Sequence, residues 1–279
     1  MKVAISINHA EHQQSHGDAI KSGLAAHGIE SVFMPVNTVI PGADIHAVWG
    51  APTKHPAICA WVNKEGGRML IFERGHVGDR MNWTSVGWDG LGNRGRYARV
   101  EDGGERWRKH WVHLWEPWTT RHGTAVVLGQ CAGDASLYGL KEGIESWATQ
   151  QCQTLKQAGY QVRYRAHPNM KRRGALFCPA TAQPSPNERL TDDLRWASLA
   201  VTYNSTSGVE AVLAGVPTVT MDEGAMAWAV SGHTIFDRIQ PERDAWTQWI
   251  SWTQFTLEEI RSGFFWEPLQ AVSNMEQPA

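Results

Sequence analysis

Residues 199–220 read LAVTYNSTSGVEAVLAGVPTVT and contain one strand–turn–helix–strand unit. The pattern predicts a buried strand over 199–203, a helix over 207–214 that Gly215 ends, and a second strand over 218–221. A small polar turn, NSTS, joins the first strand to the helix. Such a turn leaves backbone N–H groups free at a helix N-terminus, where they favour a phosphate.

The same alternation extends in both directions from this unit. In the second half it predicts two more strands and two more helices, over 124–129, 143–158, 161–165 and 190–197. In the first half it predicts four strands and two helices, over 2–7, 13–27, 31–36, 44–49, 56–64 and 68–72. Apolar strands joined by helical crossovers indicate parallel sheets covered by helices, so the expected fold class is α/β.

The pattern breaks over residues 74–122, which are rich in Gly, Arg and Trp and have no clean period. Loops this long in a compact domain are usually functional. We therefore expect two domains, 1–122 and 123–279, with C-terminal helices over 246–255 and 256–262 in the second. Ligands of open α/β sheets bind beyond the carboxyl ends of the strands, so the two domains are expected to face one cleft.

The composition is that of an ordinary globular protein. The chain has 279 residues, 42% of them hydrophobic and 19% charged, and a net charge of −2, which excludes disorder and a generally basic nucleic-acid coat. No uninterrupted apolar run approaches the ~18 residues of a membrane span, and the four cysteines form no CxxC motif. A cytoplasmic protein with reduced thiols is expected. The 15 tryptophans either fill the core or form platforms for sugars or bases.

Several cofactor motifs can be excluded. The segment GLGNRG at 90–95 matches GxGxxG, but it neither follows a predicted strand nor opens a helix, so it does not indicate NAD or FAD. The sequence contains no P-loop, no DxD and no HExxH motif. We therefore expect no metal and no required cofactor.

Polar residues follow three strands of the predicted second domain. Cations and hydrogen-bond donors gathered at strand ends suit an anionic nucleotide diphosphate. Two alternatives remain open at this point: Ser207 and Glu210 are also spaced for a capping box, and Arg165 and His167 also fit a solvated strand end. The predicted nucleotide-binding site consists of Gln130, Asp134, Arg165, His167, Asn204, Ser205, Thr206, Ser207, Gly208 and Glu210.

The first half offers a second group of candidates, at two strand ends. Glu73, His76 and Asp79 begin the loop after the fourth strand, and each can serve as a general base.

Two basic segments suit contact with a nucleic-acid backbone. One is 94–110, where basic residues are interleaved with tryptophan, and the other is 161–189. A solvated charged face would show the same pattern. The predicted acceptor-binding residues are His9, His12, Arg80, Arg94, Arg96, Arg172 and Arg173.

At these blocks the chain resembles GT-B glycosyltransferases, in particular the sugar transferases of bacteriophages. The block over 199–228 carries most of the resemblance, because a strand, an NS[ST] turn and a helix with Glu one turn in, followed by AGVP, are typical of nucleotide-sugar domains. Capsule-polysaccharide transferases share it. The other blocks are FERGHVGDR with its continuation to Tyr97, VLGQCAGDASLYG at 127–139, RYRAHP at 163–168 and the tail over 241–266.

The resemblance implies two Rossmann-like domains that face a cleft, with C-terminal helices packing back across the domains. It implies a nucleotide-sugar donor, UDP-sugar first, bound by the C-terminal domain without a DxD metal. Ser205, Thr206, Ser207 and Gly208 would hold the donor phosphates, and Glu210 the ribose. The N-terminal domain would bind the acceptor, with Asp79 as the base.

Phage members are similar in role to DNA glucosyltransferases, so the acceptor implied is a hydroxymethylated pyrimidine in phage DNA, modified in the host cytoplasm. A surface glycan is the alternative acceptor, and a nucleotide-sugar epimerase or a non-enzymatic binding module are alternative functions. The sequence shows no basic amphipathic anchor for a membrane, which favours a soluble acceptor. The oligomeric state is not determined by the sequence.

Overall fold

A computed structural model describes residues 1–8, 10–137, 139–172, 174 and 177–273. The chain folds into two compact units. The first combines Met1–His110 with the segment that starts at Thr247, and the second is Trp111–Trp246. Each unit contains one sheet, and the mixed α/β architecture confirms the predicted fold class.

The first unit is built on a six-stranded sheet of order β11-β5-β4-β3-β1-β2. The neighbouring strands β2, β1, β3 and β4 are parallel to one another, as predicted. At the other edge β5 pairs antiparallel with β4, and β11 pairs antiparallel with β5. The strands are β1 Lys2–Ser6, β2 Glu30–Met34, β3 Ile45–Trp49, β4 Arg68–Arg74, β5 Trp83–Trp88 and β11 Gln254–Thr256.

Helices cover both faces of this sheet. On one face α1 packs with α9 and α10 over a core that includes Ile5, Phe72 and Phe265, and on the other face Ile58 of α2 packs on Val48. Helix α2 ends at Gly66, whose φ of +68° is a left-handed conformation that glycine adopts without strain. The helices are α1 Glu11–Ala26, α2 Pro56–Glu65, α3 Glu105–His110, α8 Asp244–Ser251, α9 Leu257–Arg261 and α10 Trp266–Ser273.

The chain from residue 247 onward belongs to the first unit, whereas the sequence placed it with the second. The reason is strand pairing: β11 pairs antiparallel with β5, with Phe255 opposite Thr84. Helix α9 also lies against α1 at Gly23, where a Cβ atom would approach the Ile260 carbonyl oxygen to 2.0 Å. Residues 246–255, predicted as one helix, instead form most of α8 and part of the short strand β11.

The segment 74–122 is also more regular than predicted. It contains β5, whose Val86 and Trp88 are buried in the core of the first unit, and α3. The division between the units falls between His110 and Trp111, rather than near residue 122.

The second unit contains a five-stranded parallel sheet of order β10-β9-β6-β7-β8. Its strands are β6 Thr124–Leu128, β7 Gln161–Arg165, β8 Gln183–Pro184, β9 Leu199–Thr202 and β10 Thr218–Thr220. Its helices are α4 Ile144–Gln157, α5 Pro168–Arg172, α6 Leu190–Trp196 and α7 Ser207–Leu213. None of the helices in the described part of the chain has both the length and the apolar character needed to cross a bilayer.

Arg106 of α3 ties the C-terminal segment to the first unit. Its side chain forms two hydrogen bonds with the Glu259 carboxylate, at 2.7 and 2.8 Å, and also donates to the Ser251 and Gln254 carbonyls. Four aromatic rings surround the guanidinium, those of Trp83, Trp252, Phe255 and Phe264. Glu259 also closes the capping box of α9 with Thr256. Burial raises the pKa of Glu259, but the Arg106 hydrogen bonds, the Thr256 N–H and the Arg106 charge together outweigh burial and hold that pKa below its usual range.

Glu259→Ala should destabilise the protein strongly, because it leaves the Arg106 guanidinium buried without its carboxylate and opens the α9 cap. We expect a loss of about 3–5 kcal/mol in the free energy of unfolding, measured by urea titration. The exposed neighbour Glu258 provides the matched control, and Glu258→Ala should change stability by less than about 0.5 kcal/mol. Equal effects of the two changes would contradict the role given to Arg106.

Candidate functional site

A pair of side-chain amides joins two strand ends of the second unit. Gln130 follows β6, and Asn204 follows β9. The Gln130 Nε2 donates to Asn204 Oδ1 at 2.9 Å, and the Asn204 backbone N–H donates back to Gln130 Oε1 at 3.1 Å. Gln130 is 7% exposed. The pair therefore fixes two loops at the carboxyl edge of the sheet, where ligands of such folds bind.

Asn204 extends this link to a third strand end. Its Nδ2 donates to Asp222 Oδ1 at 3.0 Å and to the Ser136 carbonyl. Asp222 follows β10 and also accepts the Gly224 N–H at 3.0 Å. The loops after β6, β9 and β10 thus form one hydrogen-bonded edge, and the predicted residues Gln130 and Asn204 hold it together.

His167 follows β7 and meets the loop after β6. Its Nδ1 accepts the backbone N–H of Asn169 at 3.1 Å, and the Cys131 Sγ lies 3.1 Å from the same nitrogen. Because a backbone N–H can only donate, Nδ1 carries no proton, and the neutral ring carries its proton on Nε2. His167 is therefore oriented as a hydrogen-bond donor through Nε2.

The turn between β9 and α7 is small, polar and internally hydrogen-bonded. Ser205 Oγ accepts the Ser207 N–H at 3.2 Å and the Ser207 hydroxyl at 2.7 Å. Helix α7 begins at Ser207, and Thr206 is its N-cap residue without a side-chain cap. The capping box considered for Ser207 and Glu210 does not form, because Ser207 is already helical. The Thr206 N–H donates to no described residue.

Gly208 and Glu210 occupy opposite sides of this helix start. A Cβ atom on residue 208 would lie 3.2 Å from Thr202 Cγ2 and 3.6 Å from Thr220 Cγ2, so Gly208 lets α7 pack closely on β9 and β10. Glu210, one turn in, is exposed. Gly208 therefore contributes through packing and Glu210 through an accessible carboxylate.

Arg165 differs from its predicted role. It is 9% exposed and forms an ion pair of 2.7 Å with the fully buried Asp193. Its Nη1 and Nη2 also donate to the carbonyls of Asn187 and Glu188, at 3.0 and 2.6 Å. The guanidinium thus anchors the loop before α6 and is not oriented toward a ligand. Asp134, in contrast, is exposed, and its Oδ1 accepts the Ser136 N–H at 2.9 Å.

The three predicted base candidates of the first unit have different environments. Glu73 is half-buried at the end of β4, and its Oε1 accepts the Arg74 N–H at 2.8 Å. Asp79 is exposed and accepts Met81 N–H and Asn82 Nδ2 at 3.0 and 2.8 Å, which closes a turn.

His76 is 5% exposed, and neither ring nitrogen has a hydrogen-bond partner among the described residues. Burial, assisted by the Arg80 charge, lowers the pKa of His76 to about 3. Its ring is therefore uncharged at neutral pH and a weak base.

The C-terminal strand fixes the loop that carries these candidates. Gln254 of β11 is fully buried, and its Oε1 accepts the backbone N–H groups of His76 and Val77 at 2.6 and 3.0 Å. Its Nε2 donates back to the Val77 carbonyl at 3.1 Å. No sequence motif indicated this contact, which joins residues 177 and 178 positions apart.

The predicted acceptor residues that the structure describes have different surroundings. His12 is exposed, and Arg172 is exposed beside the Asn169 side chain. Arg80 donates to the Gly75 carbonyl at 2.7 Å, and Arg96 forms an ion pair with Asp89. Arg94 is exposed, and His9 and Arg173 lie outside the described residues.

The aromatic residues expected beside these cations are not available for stacking on bases. Trp107 and Trp111 are 6% and 2% exposed, and Arg106 is engaged with Glu259. Four cations of the 94–110 segment are exposed, namely Arg94, Arg99, Arg108 and Lys109. The interleaved pattern therefore divides into core residues and a solvated basic face.

Sequence reasoning missed a group at the carboxyl edge of the first sheet. His16 of α1 is 8% exposed, and its Nε2 lies 2.7 Å from Thr84 Oγ1. The rings of His16 and His12 stand edge-on to Trp49, with centroids 4.7 and 5.5 Å away. The signal was present, since His12 and His16 are spaced i, i+4 and Trp49 ends a strand.

The solved structures that resemble this fold include two of KpsC from Thermosulfurimonas dismutans. The beta Kdo 2,4 transferase is 14% identical, with 89% of each chain covered and a TM-score of 0.60. The beta Kdo 2,7 transferase is 13% identical, with 95% of this chain and 99% of that chain covered and a TM-score of 0.56. No protein-family model and no curated protein match the sequence. The likeness confirms the predicted fold, two Rossmann-like units of the GT-B type.

Among the described residues, no cluster of His, Cys, Asp and Glu side chains has the arrangement of a metal site.

The buried, neutral His76 should make the protein sensitive to acid. Its folded pKa lies below the unfolded value of about 6.5, so its contribution to stability is complete above that pH and is lost as the pH falls. Relative to the wild type, His76→Leu should lose about 2 kcal/mol less unfolding free energy between pH 7 and pH 5. The exposed His113 is the control: His113→Leu should keep the wild-type pH dependence, and an identical dependence for His76→Leu would refute the assignment.

Proposed function

We propose that this protein is a glycosyltransferase that moves a sugar from a nucleotide-sugar to a hydroxyl group. The linked carboxyl edge of the second unit supports this most directly. Gln130 and Asn204 hold three strand ends in place, and the turn before α7 offers small polar groups beside them. The shared fold with two transferases is consistent with it.

In this proposal the donor phosphates lie at the turn over residues 205–208. The free Thr206 N–H and the start of α7 supply a partial positive charge there, which stabilises an anion without a metal ion. His167 adds the Nε2–H donor, and the exposed Glu210 accepts hydrogen bonds from the ribose hydroxyls. We propose a UDP-sugar as the donor, and we leave Arg165 out of the site because Asp193 occupies it.

Transfer to a hydroxyl group requires a base that accepts the hydroxyl proton, and we propose Asp79 as this base. Its carboxylate is exposed, whereas Glu73 is half-buried and His76 is buried and weakly basic. A second route has no such base. Asp134 is an exposed carboxylate at the donor edge, and in a retaining double displacement it would attack the anomeric carbon and release the nucleoside diphosphate. The acceptor hydroxyl would then displace Asp134 from the sugar and give its proton to the released diphosphate.

For the acceptor we favour a glycan hydroxyl over DNA. The two KpsC structures that resemble this fold are named as transferases of the sugar Kdo. Trp107 and Trp111, expected to stack on bases, are buried. A hydroxymethylated pyrimidine in DNA is the second candidate, supported by the exposed cations Arg99, Arg108 and Lys109.

The function is tested by incubating the full chain with UDP-, ADP-, GDP- and CMP-sugars, alone and with acceptors, followed by mass spectrometry. The acceptors are an oligosaccharide panel, hydroxymethylated DNA and plain DNA. A sugar added to an oligosaccharide supports the proposal in full, and a sugar added only to hydroxymethylated DNA supports the second acceptor. Conversion of the free donor into its epimer, or binding without any reaction, would overturn the assignment as a transferase.

Ser207→Asp should abolish donor binding while the fold is kept, because it brings a carboxylate against the donor phosphates. We expect at least a tenfold rise in the dissociation constant of the donor by calorimetry, which corresponds to about 1.4 kcal/mol or more. Ser207→Ala removes only the hydroxyl and should change the affinity much less. Equal affinities for the Asp and Ala variants would remove the phosphates from this turn.

Substitution of carboxylates should identify the catalytic group. Asp79→Asn should lower turnover by about 10²–10⁴-fold, the range typical of a general base, with donor affinity nearly unchanged. Glu73→Gln and Asp134→Asn are compared in the same assay. If Asp79→Asn is active and Asp134→Asn is inactive, the assignment of Asp79 as the base is wrong, and the retaining mechanism through Asp134 is supported. If only Glu73→Gln is inactive, the base is Glu73.

A further inference from the structure

One group at the carboxyl edge of the first sheet has an unbalanced charge. Trp49 ends β3 and Arg74 ends β4, while Thr84 of β5 is the register partner of Arg74. Alternate residues of a strand share a face. Ala47 and Phe72 belong to the core beneath α1, so Trp49 and Arg74, two residues further on, lie on that same face.

Helix α1 places two histidines over this face. His12 and His16 are one turn apart, and both rings stand edge-on to the Trp49 ring. The Arg74 guanidinium carbon lies 6.0 Å from the centre of that ring. We call His12, His16, Trp49, Arg74 and Thr84 the Trp49 cluster.

The cluster holds a permanent positive charge with no internal partner. Arg74 is half-buried, yet its guanidinium forms no hydrogen bond or ion pair with any residue that the structure describes. Glu73, its neighbour, lies on the opposite face of the strand and binds only the Arg74 backbone N–H. His16, the buried histidine of the cluster, adds no positive charge at neutral pH, because burial lowers its pKa.

A half-buried guanidinium that lacks a carboxylate or phosphate loses hydration without compensation. Most of the other buried arginines of this chain avoid that cost: Arg106 and Arg165 have buried ion pairs, and Arg243 stacks between Trp115 and Trp118 while donating to two carbonyls. Arg74 has no such partner among the described residues, so its N–H donors are available to an anion from outside the chain.

We propose that the Trp49 cluster is a subsite for an acidic sugar of the acceptor. Arg74 binds the carboxylate through its planar fork of N–H donors, and the exposed part of the Trp49 ring supports the apolar face of the sugar. The inference rests on the proposed function, since it gives a substrate class to the acceptor side of the same reaction.

The cluster is better suited to a single acidic sugar than to a nucleic acid. Non-specific binding of a nucleic-acid strand requires a row of cations along the backbone and several aromatic platforms. The cluster provides one permanent cation and one tryptophan, which matches one carboxylate beside one ring.

The test measures binding of monosaccharides to the full chain by ligand-observed saturation-transfer NMR. The probes are glucuronate and galacturonate, with glucose and galactose as their neutral counterparts and a short single-stranded oligonucleotide as the competitor. We expect the wild type to bind the uronates at least about tenfold more tightly than the neutral sugars, as a charge-assisted hydrogen bond provides. Arg74→Gln should remove this preference and Arg74→Lys should restore part of it.

Matched controls separate this effect from a general loss of charge or of fold. Arg261, at the end of α9, is another arginine of the first unit and is exposed, so Arg261→Gln removes the same charge and should leave the preference unchanged. Trp49→Leu should weaken both uronates and neutral sugars, because it removes the platform and not the cation. Thermal unfolding of each variant confirms that it is folded.

The outcomes distinguish this inference from the proposed function. A uronate preference that survives Arg74→Gln, or none in the wild type, overturns the subsite even if nucleotide-sugars bind and react. Displacement of uronate by the oligonucleotide at lower concentration than by free uronate overturns the acidic sugar in favour of DNA. If uronate binds through Arg74 but no nucleotide-sugar binds, the subsite stands and the transferase assignment fails.

Discussion

The amide side chain of Gln254 fixes the loop on which the first unit's candidate base is placed. It accepts two backbone N–H groups, those of His76 and Val77, and donates to the Val77 carbonyl. These three bonds are buried, so each would cost free energy if it were left unmade. The position of Gln254 depends in turn on the β11–β5 pairing and on Arg106, which binds the Gln254 carbonyl. The candidate site of the first unit is therefore organised from residues that lie far away in sequence.

The second unit uses a different arrangement for the same purpose. Its carboxyl edge is held by bonds between neighbouring loops, Gln130 with Asn204 and Asn204 with Asp222. Parallel strands bring their carboxyl ends to one edge, so residues distant in sequence become neighbours without a separate brace. The turn before α7 is held by the hydrogen bonds between Ser205 and Ser207. The first residues of the short helix α7 are then enough to present the N–H groups of this turn.

Much of the second unit could be predicted from the sequence, because β6 and β9 are mainly apolar and the strands β6, β7, β9 and β10 alternate with helices. The amide pair was predicted as ligand contacts, and its members turn out to join loops as well. Arg165 could not be assigned correctly, since a cation at a strand end looks the same whether its partner is a phosphate or a buried aspartate. The strand β11 was missed because three residues are too few to show a period, and its pairing with β5 is not encoded locally. The unpaired Arg74 could be recognised only after the partners of the other arginines were known.

The route of the chain also bears on how the protein is made. The first unit is formed by Met1–His110 and by residues from 247 onward, with the second unit inserted between them. During synthesis the early strands therefore leave the ribosome without β11, α9 and α10, and their apolar face stays uncovered while more than a hundred further residues are added. Trp111–Trp246 has its own sheet and core, and can complete its packing in that interval. Chaperones should accordingly bind mainly to the segment that is translated first, because the core of the first unit is completed last.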